Sequence, residues 1–149
     1  MLITLPAKRE NWPELSSRCE EFLSKSGCNE KQIITLLIAI EEIFINIASY
    51  AYGESGGSAA IELKSAQTAG GATEITVCFE DGGVPFDPVA YSEGKDVKKQ
   101  TAGLIPGGLG IHLVKSSMEN LCYNRQDGKN VLTFRKTLNN TGKPEGRAL

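Results

Sequence analysis

The sequence predicts a single α+β domain, a two-layer α/β sandwich in which a mixed, mostly antiparallel sheet carries helices on one face. Three observations predict this fold. Two helix-length segments with capping residues lie near the start of the chain. Paired segments of alternating apolar and polar residues follow them. The length of 149 residues suits one domain with a hydrophobic core.

The chain begins with a short strand and a helix. Residues 2–5 are apolar enough for a strand. Asn11 can cap a helix, and Glu14 stands three residues later as the returning partner of a capping box. That helix is predicted to run to about Ser26, because Gly27 is a natural stop.

A second helix is predicted from a second capping box. Asn29 is the cap, Gln32 holds the matching position, and the helix continues to about Tyr50. Residues 33–48 are apolar nearly all the way round a helix. We therefore expect this helix to be buried.

The remaining chain is predicted to form four strands and a helix. The strand segments are 60–64, 74–80, 121–124 and 131–135. A Gly-containing loop, 67–72, joins the first two, and Asp127-Gly128 is a strong hairpin signal between the last two. Residues 109–118 form a helical pattern. The predicted domain covers residues 1–138, and the polar residues 139–149 are expected to form a disordered tail.

Composition excludes several functional classes. The formal net charge of −2 argues against a nucleic-acid-binding surface and leaves a local basic patch as the alternative. No stretch has the ~18 consecutive apolar residues of a membrane span, and the N-terminus lacks a secretory signal, so we expect a cytoplasmic protein. The cysteines show no metal-ligand spacing and are predicted to be reduced, with Cys78 in the core. His112 is the only histidine, which excludes a multi-histidine metal centre within one chain.

Glu42 and Asn46 are the first candidate functional pair. Residues four apart share one face of a helix, and this helix is otherwise apolar. A carboxylate beside an amide oxygen suits Mg²⁺, and a carboxylate near a phosphate could polarise an attacking hydroxyl. The alternative is a pair satisfied by neighbouring protein groups.

Two glycine-rich segments are the other candidates. Asp81-Gly82-Gly83 ends a strand, where the aspartate could accept a hydrogen bond from an exocyclic amine such as that of adenine; an ordinary Asp-Gly turn is the alternative. Residues 103–110 are rich in glycine and precede a helix, so free N–H groups and the helix dipole would favour an anion. A lid without a ligand is the alternative there.

In this order, the three segments resemble the motifs of the Bergerat-fold (GHKL) ATPase superfamily. Residues 42–46 match its N-box, Glu-x-x-x-Asn, residues 81–86 its first glycine box, and residues 107–114 its second. Within the superfamily, residues 81–88 and the terminal hairpin are similar to the anti-sigma-factor serine/threonine-protein kinases. The resemblance covers nearly the whole chain.

The resemblance implies ATP and Mg²⁺ as cofactors and a role for each matching residue. Glu42 would be the general base towards a serine hydroxyl, and Asn46 the magnesium ligand. Asp81 would recognise the adenine amine, and Gly83 would make room for the base. Residues 92–107 would form the ATP lid. The residues of the second glycine box that would bind the nucleotide are Gly107, Gly108, Leu109, Gly110 and Ile111.

The resemblance also implies partners: an anti-sigma-factor antagonist as substrate, a sigma factor held by the kinase, and a homodimer. One departure bears on the activity, because Ile105-Pro106 occupies the region where some family kinases carry an arginine. Lys95, Lys98 or Lys99 could replace it. The competing hypothesis is therefore a nucleotide-dependent binding module without kinase activity. A sensor-histidine-kinase half is less favoured, since the chain leaves no room for a phosphoacceptor helix pair.

Overall fold

The computed structural model describes residues 1–92 and 108–139. The strands are β1 (Leu2–Pro6), β2 (Ser58–Gln67), β3 (Thr73–Asp81), β4 (Glu119–Gln126) and β5 (Lys129–Leu138). The helices are α1 (Trp12–Lys25), α2 (Glu30–Tyr50), α3 (Pro88–Ser92) and α4 (Gly108–Ser117). The strands form a five-stranded sheet in the order β1-β2-β3-β5-β4. The α+β prediction is confirmed, and every pairing among the described strands is antiparallel rather than mixed.

The hydrophobic core lies between one face of the sheet and the helices. Side chains of β3 alternate strictly between buried and half-buried along the strand, because successive residues of a strand point to opposite faces. Ile75, Val77 and Phe79 are buried in the core. Cys78 points to the opposite face and is only half-buried, so its prediction as a core residue was wrong.

The capping box predicted for α1 does not form. Asn11 ends a 3-10 turn, has helical φ and ψ of −88° and −4°, and makes no side-chain cap. Its amide instead donates to the carbonyl oxygen of Pro6 at 2.9 Å. An N-cap needs extended backbone to turn its side chain towards the free N–H groups, and the preceding turn removes that conformation.

The capping box predicted for α2 is confirmed. Asn29 is extended, its Oδ1 accepts from the backbone N–H of Gln32 at 2.9 Å, and the Gln32 side chain accepts from the N–H of Asn29 at 2.8 Å. The prediction of an all-round buried helix was wrong, however. Ile34 and Ile38 are 52% and 40% exposed.

The buried side of α2 follows a helical period. Its buried residues are Leu36, Ala39, Ile40, Ile43, Phe44 and Ile47.

Within the described ranges, α2 is the one helix whose length and composition would allow it to cross a membrane. Core helices of soluble proteins meet the same criterion, and α2 packs against α1 and α4.

The β4–β5 hairpin forms as the sequence predicts. Asp127 and Gly128 have φ of 52° and 75°, the left-handed backbone that a two-residue hairpin between β4 and β5 requires.

The short helix α3 was not predicted. Its signals are nevertheless present, because Pro88 is its first residue and the Asp87 carboxylate accepts from the N–H groups of Val89 and Ala90 at 2.9 and 3.0 Å.

All four cysteines are free. Burial raises the pKa of the Cys19 thiol from 9.0 to about 12, and burial also raises the pKa of Cys28. Both thiols therefore stay protonated and unreactive at neutral pH.

Candidate functional site

A cavity of about 330 Å³ opens at the end of the sheet where β3 stops. Its walls are mainly apolar, formed by Ile43, Ile47, Phe79, Ile111 and Leu132. Its polar side chains come from separate elements and include Asn46, Asp81, Tyr123 and Asn130. A largely apolar cleft with a few convergent polar groups is the usual form of a small-molecule site, and this volume suits a purine base with part of its sugar.

Asp81, the last residue of β3, is the buried carboxylate of the cavity. It is 7% exposed. Its Oδ1 accepts from the backbone N–H of Gly83 at 2.9 Å and from the side-chain amide of Asn130 at 3.0 Å. Since both of these bonds go to one oxygen, Asp81 can receive a further donor from a ligand at Oδ2.

The turn after Asp81 is held by hydrogen bonds to the two residues that follow α2, Ala51 and Tyr52. The N–H of Gly82 donates to the Tyr52 hydroxyl at 2.7 Å, and that hydroxyl donates to the carbonyl of Ser58 at 2.5 Å. The N–H of Val84 donates to the carbonyl of Ala51 at 2.8 Å. These bonds fix the backbone that forms one wall of the cavity.

Asn46 supplies an unpaired polar group from α2. Its Nδ2 is buried and has no hydrogen-bond partner among the described residues. An unpaired buried polar atom costs about 1–3 kcal/mol, so a ligand that engages this amide would recover that cost. Rotation of the amide by 180° would turn its oxygen to the same place.

The donor set around Asn46 fits magnesium held mainly by a ligand. Within the described ranges there is no group of three or more His, Cys, Asp or Glu side chains that could hold a metal. Mg²⁺ is commonly bound through one or two protein oxygens, with phosphate oxygens and water completing the octahedron. Asn46 therefore suits a metal that arrives with a phosphate.

Glu42 lies against the first turn of α4. A Cβ placed on Gly110 would come 1.7 Å from Glu42 Oε2 and 2.3 Å from its Cδ. The carboxylate thus occupies space that only a glycine leaves open. It lies one turn before Asn46 on α2, beside a helix N-terminus whose N–H groups would receive an anion.

The predicted site residues fall into four groups. Asn46, Asp81 and Ile111 line the cavity, which brings together three segments far apart in sequence. Glu42 and Gly110 contact each other but are not wall residues, and Gly83 packs against Ala51. The backbone of Gly108 and Leu109 begins α4. Gly107, the remainder of the predicted lid after residue 92 and the predicted tail from residue 140 lie outside the described residues.

Sequence reasoning missed Tyr52, Tyr123, Arg125 and Asn130. Asn130 is buried and bonds to Asp81, and Arg125 donates to the carbonyl of Gly83 at 3.1 Å. The available signal was the hairpin, which places Asn130 two residues after its Gly128. The pairing of β5 with β3, which sets Asn130 opposite Asp81, has no local sequence signal.

Comparison with known proteins agrees with the family resemblance found in the sequence motifs. A family model described as the histidine kinase-like ATPase domain matches residues 5–136. The serine/threonine-protein kinase BtrW of Bordetella bronchiseptica is 33% identical over 100 residues, which make up 67% of each chain. A chain from the crystal structure of the SiaB-SiaC complex of Pseudomonas aeruginosa matches with a TM-score of 0.50 and 19% identity, covering 93% of this chain and 89% of that one. At that identity the likeness shows the fold alone.

Proposed function

This chain belongs to the histidine kinase-like ATPase domain family, and from that premise we propose that it is an ATP-dependent serine/threonine protein kinase of the anti-sigma-factor type. The observation that carries the proposal is that Asn46 of the N-box and Asp81 of the first glycine box line the same cavity. The relationship to a serine/threonine-protein kinase supports the same activity. The proposed substrate is a serine of an anti-sigma-factor antagonist protein.

The cavity suggests how ATP would be oriented. The apolar walls suit a purine ring, and Asp81 would accept a hydrogen bond from the adenine amine. The phosphates would then extend towards the N-terminus of α4, where the backbone N–H groups of the first turn are free of helical partners. Asn46 would hold Mg²⁺, which supplies positive charge to the phosphates.

Glu42 is the proposed general base. Its carboxylate lies beside Gly110, at the end of the site where the terminal phosphate is expected. In the proposed reaction the serine hydroxyl gives its proton to Glu42 and attacks the γ-phosphorus. A new oxygen–phosphorus bond forms, the bond from phosphorus to the β–γ bridging oxygen breaks, and ADP leaves with that electron pair.

A second candidate function is a nucleotide-dependent binding module that transfers no phosphate. The observation that favours it is the absence of lysine and arginine from the described cavity wall, together with Ile105-Pro106 where family kinases can carry an arginine. A cation at the terminal phosphate stabilises the transition state more than it assists binding. Both candidate functions therefore include ATP binding, and they differ in whether the γ-phosphate is transferred to the partner protein.

The test compares Glu42→Gln with its neighbour Glu41→Gln as a matched control. Nucleotide affinity is measured by calorimetry with Mg-ATP, and transfer by the intact mass of the antagonist after incubation with kinase and Mg-ATP. We expect Glu42→Gln to keep ATP affinity within about twofold and to slow transfer by roughly 10²–10⁴-fold, the usual contribution of a general base. Glu41→Gln should transfer as the wild type does.

The outcomes separate the candidates. Wild-type protein that binds ATP and leaves the antagonist unphosphorylated, while ATP and ADP change antagonist affinity differently, would establish the binding module. Failure to bind any adenine nucleotide would overturn both. Binding of a sigma factor, pairing into a homodimer and action in the cytoplasm are further parts of the proposal, and sedimentation with and without the candidate partner tests the first two.

A further inference from the structure

Both the nitrogen and the oxygen of the Asn130 side-chain amide are hydrogen-bonded, next to the Asp81 carboxylate in the cavity. Asn130 is 7% exposed and is the direct cross-strand partner of Asp81 in the β3–β5 ladder. Its Nδ2 donates to Asp81 Oδ1 at 3.0 Å and to the carbonyl of Val84 at 2.9 Å. Its Oδ1 accepts from the Tyr123 hydroxyl at 2.6 Å and from Arg125 Nη1 at 2.9 Å.

This pattern fixes which end of the amide faces Asp81. A side-chain amide has two N–H donors and one acceptor oxygen, and here both kinds of group are in use. Turning the Asn130 amide by 180° would set its oxygen against two acceptors and its NH₂ group against Arg125. Tyr123 and Arg125, two residues apart on β4, therefore hold the donor end towards Asp81.

The fixed amide in turn orients the carboxylate. Within the described ranges, the hydrogen bonds to Asp81 come from Asn130 and from the backbone of Gly83, and both reach Oδ1. With Oδ1 held on two sides, the carboxylate cannot rotate about its Cβ–Cγ bond without losing both bonds. Asp81 lines the cavity, and its Oδ2 is left to accept a hydrogen bond from a ligand there.

We propose that Asn130 is a positioning residue that gives this site its preference for a 6-aminopurine over a 6-oxopurine. The inference rests on the proposed nucleotide function and extends it to selectivity. An amine at position 6 donates to the fixed Oδ2 of Asp81, whereas a carbonyl oxygen there opposes it. Without Asn130 only the N–H of Gly83 holds Oδ1, so the carboxylate rotates more freely, binds the amine less well and opposes the carbonyl less strongly.

The experiment measures the affinities of the full chain for ATP and for inosine triphosphate, which carries a carbonyl oxygen in place of the amine. The variants are Asn130→Leu, Tyr123→Phe and the control Asn124→Ala, an exposed neighbour on β4. We expect Asn130→Leu to lower ATP affinity about tenfold, the usual effect of one lost hydrogen bond to a charged group. Its inosine triphosphate affinity should change less than about twofold, because position 6 of that ligand carries no donor for Asp81 and no hydrogen bond is lost there.

Tyr123→Phe keeps the cavity wall and removes one of the two side-chain donors, the Tyr123 hydroxyl and Arg125, that hold the Asn130 amide. It should therefore reduce the ATP preference in the same direction by a smaller factor, and it decides the question alone if Asn130→Leu fails to fold by circular dichroism. Asn124→Ala should keep the wild-type preference.

Equal losses for both nucleotides in the two site variants, or an unchanged preference, would overturn the role of Asn130. Those outcomes leave the proposed ATP-dependent function intact, because in each of them the wild-type protein still binds ATP more tightly than inosine triphosphate. Wild-type protein that binds neither nucleotide would instead overturn the proposed function itself.

Discussion

At the residue scale, two glycines of the site are required by protein neighbours. A Cβ on Gly83 would lie 2.3 Å from the carbonyl oxygen of Ala51 and 2.5 Å from its Cβ. A Cβ on Gly110 would meet the carboxylate of Glu42. The family resemblance implies that Gly83 makes room for the base and that Gly110 lines the phosphates, and the structure adds that each glycine lets a second protein segment approach. The clash at Gly83 is with rigid backbone, and that at Gly110 is with the end of a flexible side chain.

That difference predicts the effect of Gly110→Ala. The added methyl group should displace the Glu42 carboxylate without unfolding the protein, because alanine is the better helix former by about 0.5–1 kcal/mol. We expect Tm to stay the same or rise while phosphate transfer falls roughly 100-fold, as a displacement of about 1 Å at a reacting group can cost. Thermal unfolding and the transfer assay measure the two effects.

The control for this variant is Gly70→Ala. Its nearest non-adjacent atom would be Thr68 Oγ1 at 3.9 Å, so the methyl group fits, and transfer should be unaffected. Wild-type transfer by Gly110→Ala would show that the position of Glu42 against α4 is irrelevant to the reaction.

At the element scale, α2 shows how one helix serves both core and site. Its buried face follows positions three and four apart, as expected for a helix lying on one sheet. The opposite face keeps Ile34 and Ile38 largely exposed, because a two-layer fold has no third layer to cover it. Glu42 and Asn46 lie between these faces and are half-buried. A helix buried all round would have left them no access to a ligand.

The two faces predict different costs for the same substitution. Ile40→Ala removes a fully buried side chain and should lower the free energy of unfolding by about 2–5 kcal/mol. Ile34→Ala should change it by no more than about 0.5 kcal/mol, as for most surface substitutions. Urea unfolding of both variants measures the difference. Equal losses at the two positions would contradict the placement of α2.

At the scale of the whole molecule, the strand order creates the site. β3 pairs with β5 and not with its successor β4, which sets Asp81 opposite Asn130. The same end of the sheet receives Asn46 from α2 and Ile111 from α4. The cavity therefore depends on elements spread from the first third of the chain to its last.

Because these elements come together only in the folded chain, ATP should stabilise the whole domain. A ligand that binds only the folded state adds about 2.7 kcal/mol at a concentration 100 times its Kd. We expect Mg-ATP at that level to raise Tm by several degrees, and CTP at the same concentration to raise it much less, since it offers no purine to the cavity. Thermal unfolding with each nucleotide tests this, and an equal shift with both would contradict adenine recognition.

Local features were predictable to the extent that nearby residues control them. The capping box of Asn29 and Gln32 and the Asp127-Gly128 hairpin involve groups only a few residues apart, and both form. Asn11 has an equally good local pattern, yet it bonds to Pro6, because the preceding turn changed its backbone. The exposed face of α2 was not predictable, since apolar periodicity does not state how many layers the fold has.

By itself, the sequence determined the α+β class, the succession of helices and strands apart from α3, and the three motifs that carry the family resemblance. These motifs are defined by residue types and short spacings, which can be recognised without knowing the tertiary structure. Only the tertiary structure decided that Asn130 would hold Asp81 and that Glu42 would lie against Gly110. Those contacts join residues 49 and 68 positions apart in the chain. They exist because sheet order and register place these residues together, and no local pattern specifies either.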